Sequence, residues 1–331
     1  MRIGVVGAGA IGGTIAALLD RAGHEVAVTA RGAHLAAIRE HGLRLEGGWG
    51  EHTAAVPAAE VLPEPPELAL LTVKAQDAAA AAAAHREVLD GVPVVVVQNG
   101  LGGPRALHQQ LPRSPLVGGL SLVAAAHLEP GVVTVTGPNT TVLAPDTATP
   151  QQLREVAAVL RQAVPIDVTD DLLAAQWLKL VVNQLNAAPA VTGVSAQESL
   201  ASPTLRTAVT AAMRETVRVS RAAGVRLHGL PGLTPRVAAI LLRLPPSVSG
   251  RLVAARLVAG MGGVPNLGST LQSIRRGVPS EIDHLSGAVV AEGARLGVPT
   301  PVNGRVVELV HEVETSGRFL PPEDAARRLL G

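Results

Sequence analysis

The chain of 331 residues contains no cysteine. Disulfide bonds, thiolate nucleophiles and cysteine-ligated metal sites are therefore excluded, and the absence fits a reducing compartment. No uninterrupted apolar run reaches the roughly 20 residues that a membrane-spanning helix needs. Because the fold is expected to begin at residue 2, we expect no cleavable signal, a cytoplasmic location and no membrane partner.

Aromatic residues are almost absent, with two tryptophans, one phenylalanine and no tyrosine. Proteins that bind single-stranded nucleic acid stack bases on aromatic rings, and most nucleic-acid binders carry a strong positive charge. The formal net charge here is only +1, and basic and acidic residues are interspersed. We therefore expect no nucleic-acid partner.

A glycine-rich turn follows the first apolar run. Residues 7–12 read GAGAIG, which places Gly7, Gly9 and Gly12 in the GxGxxG spacing of dinucleotide-binding turns. The first glycine allows a tight turn, the second leaves room for a pyrophosphate, and the third lets the helix pack close to the strand. Free N–H groups at the start of the helix would face the phosphates. The alternative is a helix start without a ligand. The residues expected to bind the dinucleotide are Gly7, Ala8, Gly9, Ala10, Ile11 and Gly12.

The end of the second predicted strand indicates which dinucleotide is bound. NAD sites usually place a carboxylate about 20 residues beyond the glycines to hold the ribose hydroxyls. Here the strand ends at Arg31, and the next carboxylate is Glu40. A guanidinium favours the 2′-phosphate of NADP through charge-assisted hydrogen bonds, whereas a carboxylate would repel it. The sequence therefore favours NADP(H), the alternative being that Arg31 is an ordinary exposed arginine.

The hydrophobic pattern predicts an α/β fold for the first half of the chain and an all-α fold for the second. We place the boundary at Thr169, which gives a Rossmann-type NADP-binding domain over 1–169 and a helical substrate-binding and catalytic domain over 170–331. Strands are predicted over 3–6, 24–29, 68–73, 92–97 and 166–168, with antiparallel strands over 116–124, 132–136 and 141–144 completing the sheet. The main helices of the second half are predicted over 171–188, 204–223, 234–244, 248–260, 281–296 and 303–315.

Lys74 and Asn99 directly follow two of the predicted buried strands. The carboxyl ends of parallel strands share one edge of the sheet, and ligands bind outside that edge in open α/β folds. Both side chains are therefore expected near the bound dinucleotide.

The apolar helix predicted over 171–188 carries an ordered set of polar residues. Gln176, Lys179, Asn183 and Asn186 are spaced 3, 4 and 3 residues apart and lie along one face. A lysine on a buried helix needs a counter-charge or a cleft, since burial of an unpaired charge is costly and lowers its pKa. We expect this face to border a cleft between the domains. The alternative is a lysine that reaches solvent, with the asparagines bonded to backbone.

A second polar segment contains Ser280, Glu281 and Asp283. Ser280 is a good helix N-cap, so Glu281 and Asp283 fall in the first turn of the helix predicted over 281–296, where the helix dipole stabilises negative charge. That placement explains Glu281 structurally. The functional interpretation is a carboxylate that pairs with Lys179, and the pattern alone favours neither interpretation.

Together these segments resemble the ketopantoate reductase (2-dehydropantoate 2-reductase) family over essentially the whole chain. The resemblance implies a Rossmann domain followed by a helical domain. It also implies NADPH-dependent reduction of 2-dehydropantoate to (R)-pantoate in pantothenate biosynthesis, without a metal. The matching segments are GAGAIG at 7–12, Arg31, TVKAQD around Lys74, QNGLG around Asn99, WLKLVVN at 177–183, STLQSIRRGVPSEIDHLSG at 269–287 and GVPTPVN at 297–303.

The resemblance implies roles for individual residues. Lys179 would be the general acid that protonates the carbonyl oxygen, and Glu281 would pair with Lys179 or position it. An ammonium suits this role because it stabilises developing alkoxide charge and can give up a proton once its pKa is lowered. The residues implied to bind the substrate are Asn99, Lys179, Asn183 and Ser269, and those implied to bind the cofactor beyond the glycine turn are Arg31, Lys74 and Asn99.

Three positions differ from the family pattern at the substrate end. Ala187 and Gln197 stand where asparagines are usual, and Ser273 replaces the aspartate of a Gln-Asp pair. The sequence therefore favours reductase chemistry but leaves the identity of the 2-oxo acid open. The alternatives are a related NADPH-dependent reductase of another branched 2-oxo acid or of an imine, and a non-catalytic NADP-binding redox sensor. The protein would be a monomer or a homodimer.

Overall fold

The strands of the first half form from short apolar runs, because a strand buried on both faces needs apolar side chains throughout. The computed structural model describes residues 1–227, 235–259 and 265–331, and the chain separates into two units, Met1–Leu172 and Leu173–Gly331. In chain order the strands are β1 (Arg2–Val6), β2 (Glu25–Thr29), β3 (Leu43–Gly47), β4 (His52–Ala54), β5 (Ala58–Ala59), β6 (Leu68–Leu71), β7 (Val94–Val97), β8 (Leu116–Ser121), β9 (Ala124–Ala126), β10 (Val132–Gly137), β11 (Thr141–Pro145) and β12 (Ile166–Val168).

Helices and short 3-10 turns connect these strands. The 3-10 turns of the first unit are Ala75–Asp77 and Gly103–Leu107. Its helices are α1 (Ala10–Arg21), α2 (Gly32–His41), α3 (Ala78–Ala84), α4 (Arg86–Leu89) and α5 (Pro150–Leu160).

The main sheet contains eight strands in the order β12-β11-β8-β7-β6-β1-β2-β5. Neighbouring strands run parallel except β8 and β11, which are antiparallel. From β1 the sheet extends through β2 on one side and through β6 on the other, so the direction of winding reverses beside β1. In open α/β sheets ligands bind outside the carboxyl ends of the strands at this point, and residues 7–12 lie there.

A separate sheet of four strands, in the order β4-β3-β10-β9, packs against α1. The prediction that residues 132–136 complete the main sheet is therefore wrong. The physical reason lies in α1, whose residues from Gly12 to Leu19 are all buried and which needs an apolar cover on its outer side as well. Val133 and Val135 of β10 supply it, together with Leu43 and Leu45 of β3.

The second unit is helical throughout its described residues. The central helix is α9 (Pro203–Ala222), which packs against α8, α10, α11, α13, α14 and α15. The predicted Rossmann-type α/β fold followed by a helical domain is confirmed, although Thr234 and Gly260, at the ends of two predicted helices, lie outside the described residues. The other helices are α6 (Leu172–Asn183), α7 (Ala187–Thr192), α8 (Ala196–Ala201), α10 (Pro235–Arg243), α11 (Pro246–Ala259), α12 (Gly268–Arg275), α13 (Ser286–Leu296), α14 (Pro301–Ser316) and α15 (Pro322–Leu330).

Two predicted helices are interrupted. The helix predicted over 171–188 passes through a 3-10 turn, Gln184–Asn186, before α7. Pro189 in α7 has no N–H to donate, and its ring would clash with the Leu185 carbonyl in a continuous α-helix. The helix predicted over 281–296 instead begins at Ser286, after a 3-10 turn, Ile282–His284.

A buried carboxylate joins α9 to the start of α14. Glu215 is 6% exposed and accepts hydrogen bonds from the backbone N–H groups of Val302 and Asn303, each at 2.9 Å. The Asn303 side-chain Nδ2 donates to the same carboxylate at 2.8 Å and to the Ala212 carbonyl at 3.1 Å. These bonds satisfy N–H groups in the first turn of α14, where the helix dipole also favours negative charge.

We predict that Glu215→Ala lowers the free energy of unfolding by about 3 kcal/mol, because it leaves three buried donors without their acceptor. Urea unfolding followed by circular dichroism measures the change. The matched control is Glu312→Ala, which removes an exposed carboxylate of α14 that pairs with Arg328 and should leave stability nearly unchanged. Equal effects of the two substitutions would contradict this role for Glu215.

Candidate active site

The glycine turn joins β1 to α1 at the carboxyl edge of the main sheet. Gly7 has a φ of 101°, which L side chains rarely adopt, and a Cβ there would lie 2.7 Å from Val73 Cγ1. A Cβ on Gly12 would overlap both the Gly7 carbonyl oxygen and Thr72 Oγ1. Gly7 and Gly12 are therefore required by the packing of the turn itself.

Two threonines that sequence analysis missed hold this turn. Thr29 Oγ1, at the end of β2, accepts a hydrogen bond from the Gly7 N–H at 2.9 Å. Thr72 Oγ1, directly after β6, donates to the Gly7 carbonyl at 2.7 Å. Because β2 and β6 are the two neighbours of β1, a threonine at the carboxyl end of both strands is the signal that identifies them.

The turn and its surroundings fit the pyrophosphate of a dinucleotide. A Cβ on Gly9 would meet no atom within 4 Å, so the backbone there borders open space. The first turn of α1 has neither a side-chain cap nor an acidic residue, which leaves its first N–H groups available to an anion. Arg31 is exposed at the N-cap of α2. The donors at this edge therefore suit a negatively charged ligand.

Lys74 and Asn99 are half-buried in the loops that follow β6 and β7. Gln98, whose role was not predicted, links the two loops because its Nε2 donates to the Val73 carbonyl at 3.0 Å. Since β6 and β7 are parallel neighbours, Lys74 and Asn99 lie at the same edge of the sheet as the glycine turn.

Gln176, Lys179 and Asn183 lie on one face of α6 by their spacing. Lys179 is half-buried, and burial lowers the pKa of its ammonium from 10.5 to about 8. Within the described part of the chain, Lys179 has no hydrogen bond or ion pair, and the buried Asn183 Nδ2 has no hydrogen-bond partner. Both groups can therefore bind a ligand without first breaking a bond within the protein.

Ser269 lies close to Asn186, which follows α6 in the 3-10 turn. The Asn186 Nδ2 is 3.5 Å from Ser269 Oγ. Gly268 makes this approach possible, because its φ is 69° and a Cβ there would lie 2.9 Å from Asn186 Cγ. Gln197, one of the departures from the family pattern, holds the preceding segment because its Oε1 accepts from the Asn266 N–H at 2.9 Å.

Glu281 is half-buried directly before the 3-10 turn that leads to α13, rather than in the first turn of a helix. It forms no ion pair with Lys179 in the structure. The prediction that Ser280 is the N-cap of this helix is wrong, because α13 begins at Ser286, although Ser280 Oγ accepts a hydrogen bond from the Ile282 N–H at 3.3 Å. The predicted role of Glu281 beside Lys179 stays a prediction.

His311 and Glu314 of α14 hold the residues on the two sides of Glu281, His311 through Asp283 and Glu314 through Ser280. Its Nε2 bonds to Asp283 Oδ1 and its Nδ1 to Glu314 Oε2, each at 3.0 Å, and Glu314 Oε1 accepts from the Ser280 N–H at 2.8 Å. The hydrogen bond to Asp283, followed by that to Glu314, raises the pKa of His311. These long-range bonds explain why α13 starts later than its sequence pattern predicts.

No helix within residues 1–227, 235–259 and 265–331 is long and apolar enough to cross a membrane. Over the same ranges, no three histidine or acidic side chains are grouped so that they could hold a metal ion.

The sheet order and the glycine turn define a Rossmann-type dinucleotide-binding protein with a helical second unit. Residues 3–147 match the family model described as Ketopantoate reductase PanE/ApbA, and residues 171–314 match the one described as Ketopantoate reductase PanE/ApbA C terminal. A 2-dehydropantoate 2-reductase of Halobacterium salinarum is 30% identical over 326 residues, covering 96% of this chain and 100% of that protein. The chain belongs to the ketopantoate reductase (2-dehydropantoate 2-reductase) family.

Solved structures agree with this assignment. A PanE/ApbA family ketopantoate reductase from Ralstonia eutropha JMP134 is similar with a TM-score of 0.79 at 30% identity, covering 95% of this chain and 99% of that one. D-mandelate dehydrogenase, solved with NADH and anilino(oxo)acetate, shares the fold with a TM-score of 0.81 at 22% identity, covering 96% and 99%. The resemblance read from the motifs is confirmed. The chain is an oxidoreductase acting on CH–OH groups and uses a nicotinamide dinucleotide.

We predict that Gly9→Ala weakens cofactor binding, whereas Gly12→Ala lowers the stability of the fold. The Gly9 methyl group would enter the open space beside the turn, so this variant should unfold at the wild-type temperature but bind NADPH at least about tenfold more weakly. The Gly12 methyl group would collide with the turn and Thr72, so that variant should lose stability. Thermal unfolding and calorimetric titration measure the two effects.

Gly304→Ala provides the matched control, because Gly304 lies within α14 and a Cβ there meets no atom within 4 Å. This variant should bind the cofactor as the wild type does. Its stability should not fall, since alanine is a better helix former than glycine. Undiminished NADPH binding by Gly9→Ala would contradict the placement of the pyrophosphate.

Proposed function

We propose that this protein reduces 2-dehydropantoate to (R)-pantoate with NADPH in the cytoplasm, as a step of pantothenate biosynthesis, with Lys179 as the general acid. The observation that carries the mechanism is a half-buried ammonium, with its pKa lowered to about 8, that has no partner within the described chain. The same-face Asn183 Nδ2 is buried and equally unpaired. Groups left in this state favour a bound polar substrate, since burial without a partner costs free energy.

The proposed chemistry needs one proton for each carbonyl reduced. When bound, NADPH supplies the hydride equivalent to the carbonyl carbon, and the carbonyl oxygen must receive a proton. The Lys179 ammonium donates a hydrogen bond to that oxygen, stabilises the developing negative charge and transfers its proton. A pKa near 8 keeps Lys179 mostly protonated at neutral pH while making it a stronger acid than an exposed lysine.

The remaining roles are those that the resemblance to the ketopantoate reductase family implies. Asn183 and Ser269 bind polar groups of the 2-oxo acid, and Asn99 and Lys74 bind the nicotinamide end of the cofactor. Glu281 acts as the carboxylate that positions Lys179 when the substrate is bound. The glycine turn, through Gly7, Ala8, Gly9, Ala10, Ile11 and Gly12, binds the pyrophosphate, and Arg31 binds the 2′-phosphate.

A substrate panel tests the proposal. NADPH oxidation is followed with 2-dehydropantoate, other branched 2-oxo acids, an aryl 2-oxo acid and a cyclic imine. The largest kcat/KM should belong to 2-dehydropantoate. A larger value for another compound would reassign the substrate while keeping the reductase chemistry, and no oxidation with any compound would favour a redox sensor.

We predict that Arg31→Ala weakens NADPH binding about tenfold to a hundredfold and leaves NADH binding nearly unchanged, because one charge-assisted contact contributes roughly 1.5 to 3 kcal/mol. Dissociation constants of both dinucleotides are measured by calorimetry. Arg39→Ala is the matched control, since Arg39 lies at the far end of α2 and bonds to the Ala58 carbonyl. Equal losses of affinity for NADPH and NADH in Arg31→Ala would show that Arg31 does not bind the 2′-phosphate.

We predict that Lys179→Ala and Lys179→Arg both lower kcat by about 10² to 10⁴ while NADPH affinity stays near wild type. The arginine variant keeps the charge but cannot give up the proton. In the wild type, the rate of carbonyl reduction should fall as the pH rises through about 8, because the ammonium form of Lys179 is lost. Stopped-flow single turnovers across this range measure the effect, and full activity of Lys179→Arg would contradict the acid role.

A further inference from the structure

His34 occupies a position next to the glycine turn that neither the motifs nor the proposed mechanism uses. It lies in the first turn of α2, and its ring is half-buried. Its Nε2 is 2.7 Å from the Ala8 carbonyl oxygen, in the middle of the glycine turn. Its Nδ1 is 2.9 Å from the backbone nitrogen of Gly131, which precedes β10.

These two partners define the protonation state of the ring. A carbonyl oxygen can only accept, so Nε2 must carry the hydrogen, and a backbone N–H can only donate, so Nδ1 must be without one. His34 is therefore neutral and is the Nε2–H tautomer. A second proton on Nδ1 would face the Gly131 N–H and break that bond.

The bond to Ala8 orients the next peptide group. The Ala8 N–H donates to the Thr29 carbonyl at 2.8 Å, and His34 holds the Ala8 carbonyl, so this residue is fixed at both ends. In a trans peptide the C=O and the following N–H point in opposite directions. The Gly9 N–H is thus directed away from His34, beside the open space at Gly9.

The bond to Gly131 fixes the ring itself. Gly131 adopts a φ of 77°, and its carbonyl accepts from the Arg44 N–H of β3 at 2.8 Å. His127, in the same turn, lies against His34 with ring centroids 4.0 Å apart. The small sheet that covers α1 therefore holds His34 in place against the glycine turn.

We propose that His34 is a positioning residue for the cofactor, because it directs the Gly9 N–H toward the pyrophosphate by holding the Ala8 carbonyl. The inference rests on the placement of the dinucleotide at the glycine turn. Arg31 is proposed to bind the 2′-phosphate, which only NADPH carries. His34 acts at the pyrophosphate, which NADPH and NADH share. Its removal should therefore weaken both dinucleotides equally.

The test compares His34→Ala with His24→Ala. His24 lies in the same unit and bonds to the Gln162 side chain at 3.2 Å, away from the glycine turn. His34→Ala should bind NADPH and NADH about tenfold more weakly each, as expected for loss of one hydrogen bond that orients a donor. His24→Ala should bind both dinucleotides like the wild type. His34→Ala should also unfold at a lower temperature, because the Ala8 carbonyl and the Gly131 N–H each lose a partner, so binding is measured well below its unfolding temperature.

Nuclear magnetic resonance of ¹⁵N-glycine-labelled protein gives a readout that a purely structural role would not move. Addition of NADPH should shift the Gly9 amide proton downfield in the wild type and shift it much less in His34→Ala. His34→Gln, which can still donate to the Ala8 carbonyl, should restore part of both the affinity and the shift.

Three results would overturn the proposal. They are unchanged affinity in His34→Ala, a loss confined to NADPH, and a loss in His34→Gln as large as the loss in His34→Ala. Gly9→Ala separates this failure from that of the cofactor placement. If Gly9→Ala weakens binding and His34→Ala does not, only the role of His34 is wrong, whereas unchanged binding in both variants would remove the dinucleotide from this turn.

Discussion

The hydrogen bonds of Thr29 and Thr72 to Gly7 are the constraint on which the glycine turn, the candidate dinucleotide site, depends. The N–H and C=O of Gly7 lie in a tight turn outside any strand or helix, and each needs a partner because unpaired buried backbone groups are costly. The two hydroxyls supply these partners from both neighbours of β1. Thr72 then fills the space that a Gly12 side chain would need, so α1 can approach β1 with its free N–H groups at the sheet edge. The same two threonines therefore join the neighbouring strands to the glycine turn and position the candidate anion site.

Arginine greatly outnumbers lysine in this chain. Of the 28 basic residues only two are lysines, Lys74 and Lys179, and both belong to the candidate site. Arginine serves equally well for exposed charge and better for bidentate contacts, but it cannot release a proton at physiological pH, whereas a buried lysine can. The scarcity of lysine is therefore a compositional signal for these two positions that motif spacing does not use. It supports a role for Lys179 that requires proton transfer and not only positive charge.

Local pattern was sufficient for most of the fold and for the residues of the glycine turn. GAGAIG, the buried strands β6 and β7, and the polar face of α6 all follow from spacings of a few residues, which the sequence displays directly. The small sheet was missed because β10 pairs with β3, about 90 residues earlier, and strand pairing at that distance has no local signal. The same holds for His34 with Gly131, Glu215 with Asn303, and His311 with Asp283. In each case one side chain bonds to a distant segment. Periodicity predicts whether that side chain is buried or exposed, but not which residue it contacts.

Buried polar groups in the second unit differ in whether the protein itself supplies their hydrogen-bond partners. Gln184 donates to the Leu180 carbonyl and accepts from Ser286, and the Glu215 carboxylate holds three donors, so these groups recover the hydrogen bonds they lose on folding. Lys179 and the Asn183 Nδ2 do not recover theirs within the described chain, and the same is true of Arg214 Nε, Thr270 Oγ1 and Asn303 Oδ1. Lys179 differs from these three because it carries an ammonium whose pKa burial lowers. An ammonium whose pKa is lowered by burial alone destabilises the folded state at neutral pH, since the unfolded chain holds its proton more tightly. The proposed role of Lys179 and Asn183, one helical turn apart on α6, would account for this cost, because the oxygens of a bound 2-oxo acid would accept the missing hydrogen bonds.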